Sequence, residues 1–414
     1  MQSPTSHANA IAQAVTSKFN SLPPKRKPST RDNGAAEWIP LSGIVAEEND
    51  LFTCLSLATG MKCLPAARLP SSAGTLLHDW HAEILAIRTF NRLILDECLR
   101  LIQGEDPATN LLVFASSTLE DDKTPPFRIR PGVKLHMYCS EAPCGDASME
   151  LVMAAQPDAS PWEEPSSPSP LPGRSHFSRL GIVRRKPSRA DAPASSSKSC
   201  SDKLALKQCT SLLSSLTSLF VQRSDAYIRT LVLPASQYVP GACERAFSST
   251  GRMAPVAAAA AGDDASCWSE GYVFRPFIIE TTTEKFTFSR EVRTSVCPSI
   301  VPCNLAVAWS AGSVEESIVN GVLHGRKPLD PRGASHMSRR KMWEAAAAVA
   351  DALHRRDDEQ TKIYKYLNEP TYRHVKDGSL LTARRAVKGQ VRQTALTGWV
   401  ADQMDSDFGR DVTA

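Results

Sequence analysis

The sequence predicts a mixed α/β fold, and three observations carry that prediction. Strand-like and helical segments follow one another along the chain, a long stretch from His81 to about Ile102 keeps helical spacing, and Asn320-Gly321 stands between apolar neighbours as in a tight hairpin. Taken in order, residues 9–21 place Ile11, Val15 and Phe19 on one helical face, and Leu22-Pro23-Pro24 ends that pattern. The basic run "PPKRKP" follows, readable either as a nuclear signal or as an ordinary exposed linker. "EWIPLSGIVAEE" and "LFTCLSLATGMKCL" read as strands, then come the His81 helix, a strand at "LLVFAS" and another at "VKLHMYC". A helix is expected to begin at Pro143-Cys144, because proline is preorganised for a first helical turn. An amphipathic helix follows in "CSDKLALKQCTSLLSSLTSLFV", "NLAVAWSAG" alternates, and the last 60 or so residues return to helical patterning.

Two stretches break the pattern. Residues 156–199 are rich in Pro and Ser without periodicity, and 251–267 form a second weak segment; both are expected to be low-complexity insertions, the first mostly an exposed loop. Residues 1–40 are read as an N-terminal helix with a basic linker, and 41–414 as one domain interrupted by the insertions.

With 414 residues, 42% of them apolar and 22% charged, the chain is long enough to bury a large core. It has no run of about 18 apolar residues and no apolar signal region at its start, so no membrane partner and an intracellular location are expected. Eleven cysteines scattered through such a chain suggest free thiols or metal ligands before disulfides. The net charge of +4 is too small to identify an anionic partner.

The chemistry gathers at three places. In "HDWHAEIL", His81 and Glu83 open the long helix: an imidazole is a good zinc ligand and a carboxylate kept off the metal can carry protons, although a capped, solvated helix start has the same appearance. In "PCGDA", Cys144 is expected at a helix N-terminus, where the dipole and free N–H groups favour a thiolate. In "KSCSDKLALK", Cys200 precedes a helix beside Asp202 and Lys203. His81, Cys144 and Cys200 would leave an open fourth position, as catalytic zinc sites do. Cys139 and Cys209 are the rivals for the third ligand, and each also reads as core.

The order HAE, PCG, SCSDK resembles the adenosine deaminases that act on RNA. "GIVAEE", "LATGMKCL", "RRKPSRAD", "AYIRTLVLP", "NLAVAWSAG" and the terminal "GWV" are similar to the fungal, tRNA-specific members of that family, which make inosine at position 37 of tRNA-Ala. The resemblance implies a cytidine-deaminase-like three-layer α/β/α core with a central mixed sheet, extended by C-terminal helices. It implies zinc on His81, Cys144 and Cys200, with Glu83 moving a proton from water to adenine N1, and it places Lys62 near the substrate nucleotide. The partner it implies is the tRNA-Ala anticodon stem-loop, with no DNA expected. No room is seen upstream for a double-stranded-RNA-binding domain. A messenger-RNA or structured-RNA editor, or a catalytically silent RNA-binding protein with this fold, are the alternatives.

From 361 to 392 there are eight Lys or Arg against two acids, a run that usually means a solvated face or a phosphate-binding surface. The resemblance implies instead a buried inositol hexakisphosphate, held by Arg88, Lys203, Ser215, Arg339, Tyr372, Lys376, Trp399 and Asp407. Ile87 and Leu206 stand where that pattern expects arginines. A further basic residue after Lys376 is Arg384, Arg385 or Lys388.

Overall fold

Residues 4–115, 124–155, 160, 171–173, 177–187, 192–261, 268–356, 361–400 and 404–410 are described by a computed structural model. An eight-stranded mixed sheet forms its centre. In chain order the strands are β1 (Leu41–Glu48), β2 (Leu51–Thr59), β3 (Lys134–Cys139), β4 (Ile228–Pro234), β5 (Ile278–Thr282), β6 (Ala306–Ser310), β7 (Glu315–Val319) and β8 (Val322–Leu323). In space they run β5-β4-β3-β1-β2-β6-β7-β8, with β3, β4 and β5 parallel and the remaining pairs antiparallel. Asn320 and Gly321 close the β7–β8 hairpin at φ 55° and 85°, the doubly left-handed turn that an Asn-Gly pair tolerates best.

The period-2 alternation of the strands divides the core into two layers. The helix α1 (Pro4–Ser21) covers one face, where Ile11, Val15 and Phe19 are fully buried together with Leu41, Val45 and Tyr138. Each such side chain is worth about 1.5–3 kcal/mol of burial. Gly43 permits this close contact: a Cβ there would stand 2.7 Å from the Val15 methyls. The boundary drawn at residue 40 therefore divides segments that pack on one another. On the opposite face, α2 (Ala82–Gln103) and α3 (Cys200–Thr210) share a cluster with Leu135, Met137, Cys139 and Cys209. Both cysteine rivals for the metal are thus core residues. The C-terminal helices extend this layer: α4 (Arg339–Arg356) lies against α2, α5 (Tyr372–Asp377) carries four residues that line a cavity, and α6 (Thr382–Thr394) lies against α3.

Three expectations need correction. No helix begins at Pro143-Cys144; Gly145 turns at φ 103°, a 3-10 turn follows over Asp146–Ser148, and the helix starts at Met149. That glycine is required, since a Cβ on it would meet Ser199 Oγ at 2.3 Å. The tract 156–199 is not simply an exposed loop. Residues 156–159, 161–170, 174–176 and 188–191 lie outside the described residues, but Arg184, Lys186, Ser195, Lys198 and Ser199 are buried. In the second weak segment, 262–267 lie outside the described residues, whereas Ala254–Ala261 is a helix with Val256 buried, as the helix propensity of an alanine run favours. The "PPKRKP" run is partly engaged, with Arg26 paired to Glu315 at 2.8 Å. Among the described residues no helix is long and apolar enough to cross a membrane, and every cysteine is a free thiol.

Candidate active site

His81 is the N-cap of α2, in extended backbone at φ −60°, ψ 143°. Its position is fixed from both sides, because Trp80 N–H donates to Lys62 O at 3.0 Å and Ala82 N–H to Gly60 O at 2.8 Å. Gly60 makes that approach possible, as a Cβ there would lie 2.1 Å from Trp80 O. The loop after β3 brings Cys144 Sγ to 3.8 Å from His81 Nδ1, and Cys200 N–H at the start of α3 donates to the same sulfur at 3.3 Å. Ser199 caps α3 by accepting from Asp202 N–H at 3.1 Å, while Ser201 N–H donates to Cys144 O at 3.0 Å and Ser201 Oγ to Pro143 O at 2.9 Å. Two segments 56 residues apart are thereby held as one unit.

The imidazole and both sulfurs lie within 4.8 Å of one another. One nitrogen and two soft sulfurs converging at a half-buried point are donors that suit zinc. Cys144's thiol is drawn well below its ordinary range by its bond to Cys200, with Lys186 and His81 adding to the effect, while burial pushes Cys200 up. Glu83, one helical position past Ala82, is buried outside that donor set; burial first, then the charge at Cys144, raises its carboxyl above the usual range. A carboxyl so raised is suited to proton exchange. Lys62, whose carbonyl accepts from Trp80 beside His81, directs its ammonium to Asn304 Oδ1.

Two residues essential to the arrangement escaped the sequence reading. Lys186 Nζ lies 3.3 Å from Cys200 Sγ and donates to both oxygens of Asp79, at 3.0 and 2.8 Å. Asp79 is buried, which alone would raise its carboxyl, yet Lys186 and Lys203 hold it well below the ordinary range. Asp79 also accepts from Ser197 Oγ at 2.9 Å and from Lys203. The available signal was the run Arg184-Arg185-Lys186 directly after Ile182-Val183, an apolar and basic cluster inside an otherwise polar tract.

Beyond Lys203 opens a cavity of about 610 Å³. Arg88, Lys203, Ser215, Arg339, Tyr372, Lys376 and Trp399 line it, as do Lys207, Arg392 and all three of Arg384, Arg385 and Lys388. Ile87 and Leu206 contribute apolar wall. Asp407 does not join the lining; it pairs with Arg373 at the surface. Burial, then the neighbouring cations, pushes Lys207 and Lys388 well below the usual range and Lys376 down to about 7. Lys376 donates to Ser215, while Arg384 donates to the Thr210 and Leu213 carbonyls at 3.0 and 2.6 Å. So many desolvated cations around one cavity would suit a compact polyanion.

The profile of the adenosine-deaminase (editase) domain matches residues 56–403. The chain is similar to the tRNA-specific adenosine deaminase 1 of Schizosaccharomyces pombe, at 37% identity over 95% of this chain and 94% of that one. It is 29% identical to the tRNA-specific adenosine deaminase 1 of Saccharomyces cerevisiae, over 81% of each chain. A shorter match, 30% identical over 36% of this chain and 20% of the other, joins it to the double-stranded RNA-specific editase Adar of Drosophila melanogaster.

Proposed function

The chain belongs to the adenosine-deaminase (editase) family, and from that premise we propose that it deaminates adenosine to inosine in tRNA, at adenosine 37 beside the tRNA-Ala anticodon. The observation that carries the reading is the convergence of His81, Cys144 and Cys200 with Glu83 buried beside them and outside their donor set. Those three residues would hold zinc, which when bound makes a water nucleophilic near neutral pH, with a pKa lowered to ~7. Glu83 would take one proton of the water and deliver it to adenine N1 as the oxygen adds at C6, then carry the remaining hydroxyl proton to the amino group, so that the C6–N bond breaks as the C6 carbonyl forms and ammonia leaves. The raised carboxyl of Glu83 supports both halves of that exchange. Lys186 and Asp79 hold the Cys200 side of the site in place. The adenine must leave its stack to enter, which costs less from a single-stranded loop than from a duplex.

The cation-lined cavity supports inositol hexakisphosphate as the second bound group, held by Arg88, Lys203, Lys207, Arg339, Lys376 and Lys388. With ten free thiols and no disulfide among the described residues, a reducing compartment inside the cell is the location this proposal favours.

The test is incubation with total tRNA followed by inosine mapping. Inosine confined to position 37 of tRNA-Ala supports the proposal. Inosine elsewhere favours an editor of other structured RNA, and none from zinc-loaded protein favours a silent RNA-binding fold.

A further inference from the structure

A second cluster of metal-binding side chains lies away from the catalytic residues, between α1 and the sheet. His7 comes from α1, Glu47 from β1 and His136 from β3, and one donor atom from each lies within 4.8 Å of the others. Glu47 Oε2 is 3.2 Å from His7 Nε2 and 2.8 Å from His136 Nε2. Ligands held ~2.0–2.1 Å from one tetrahedral ion stand ~3.4 Å apart, so an ion would replace these two hydrogen bonds with an opening of only about 0.2 and 0.6 Å.

The surroundings add four further points. Glu280 on β5 accepts from His7 Nδ1 at 2.8 Å, the carboxylate backing that fixes a metal-binding imidazole with Nε2 facing inward. Lys134 occupies the other oxygen of Glu47 at 2.7 Å, which leaves Oε2 to serve as a single-oxygen ligand. His136 is buried and its Nδ1 meets no partner among the described residues, so the ring's polar contact is directed at Glu47 through Nε2. His7 keeps about a fifth of its side chain exposed, giving an ion a way in and room for a water to complete its shell.

We propose that His7 Nε2, Glu47 Oε2 and His136 Nε2 form a second site for a divalent transition cation of the zinc class, which pins the N-terminal helix to the sheet. Two imidazoles with one carboxylate is a donor set that suits Zn²⁺ and disfavours Mg²⁺ and Ca²⁺. The site is structural and independent of the deaminase chemistry.

The experiment measures zinc in the full-length holoprotein by elemental analysis after equilibration with micromolar Zn²⁺ and gel filtration. About two ions per chain are expected in the unsubstituted protein and about one in His7→Gln and in Glu47→Gln, with inosine formation unchanged in both. The His7→Gln change lies on a partly exposed helix face, and retained activity shows that the variant is folded. A single ion in the unsubstituted protein overturns the proposal and leaves His7 as a hydrogen-bonded clasp between two carboxylates. Two ions retained in both variants overturn it as well.

Discussion

On one side of Asp79 the buried cations are matched, and on the other they are not. Toward the catalytic residues, Lys186 meets the Asp79 carboxylate and the Cys200 sulfur at ordinary hydrogen-bond distances. Toward the cavity, Lys207, Lys376, Lys388, Arg384 and Arg392 face one another, and burial with mutual repulsion pushes the lysines down. Lys203 touches both sides, donating to Asp79 while lining the cavity. The half around His81, Cys144 and Cys200 carries its own counterion in Asp79, whereas the cavity holds far more cations than acids and would gain counter-charge from the proposed polyanion.

The largest effects should come from the matched half. Cys200→Ala is expected to lose catalytic zinc and all measurable inosine formation, while Glu83→Gln keeps the metal and loses about 10²–10⁴-fold in rate. Elemental analysis beside a single-turnover assay separates the two, and an active Glu83→Gln protein would remove the proton carrier from the mechanism. Next is Lys186→Met, which leaves a buried carboxylate short of one partner. Denaturant unfolding should show a loss of about 3 kcal/mol, at the low end for breaking a buried pair because Lys203 remains. A change near zero would mean that Asp79 is already satisfied from the cavity side.

The unmatched half predicts a pH dependence. Lys376 titrates near 7 in the fold and near ~10.4 in an unfolded chain, so between those values the unfolded state binds the extra proton. Stability of protein free of polyanion should therefore rise with pH from about 7 to 10, and Lys376→Met should reduce that slope, to which the depressed Lys207 and Lys388 also contribute. Bound polyphosphate should flatten it too, by restoring the charged form of the lysine. Thermal unfolding at several pH values checks both, and a slope unaffected by polyphosphate would sever the cavity from any anionic ligand. The smallest effect belongs to Asp407→Asn, which should alter neither stability nor polyphosphate affinity, because Asp407 pairs with Arg373 at the surface.

The parts of the site legible in the sequence are those whose geometry is local or whose motif is distinctive. His81 and Glu83 fall where a helix start places them, and the Asn320-Gly321 hairpin follows from two residues that accept positive φ. Cys139 and Cys209 were separable from the ligands only by the core they face. Asp79 was invisible because an acid two residues before a helix N-cap is usually solvated, and nothing in "LLHDWH" announces two lysines arriving from residues 186 and 203. Lys186 was hidden by composition: a Pro/Ser tract averages to a loop even when one segment of it is buried. Likewise, the periodicity of α1 identified the face it buries but not the sheet that receives it. The helix expected at Cys144 failed on a single backbone angle, that of Gly145.

The 56-residue separation of the two thiols also bears on how such a chain can change over time. Both ends of the intervening segment are anchored, at Cys144 by Ser201 and at Lys186 by Asp79, so a change in its length would bear on the two thiols through the cost of closing a loop. That cost grows by only about 0.6 kcal/mol for each doubling in length. A ligand pair split in this way tolerates insertions and deletions between its members that a Cys-x-x-Cys pair never could, leaving this stretch open to rapid drift in length while the chemistry stays in place.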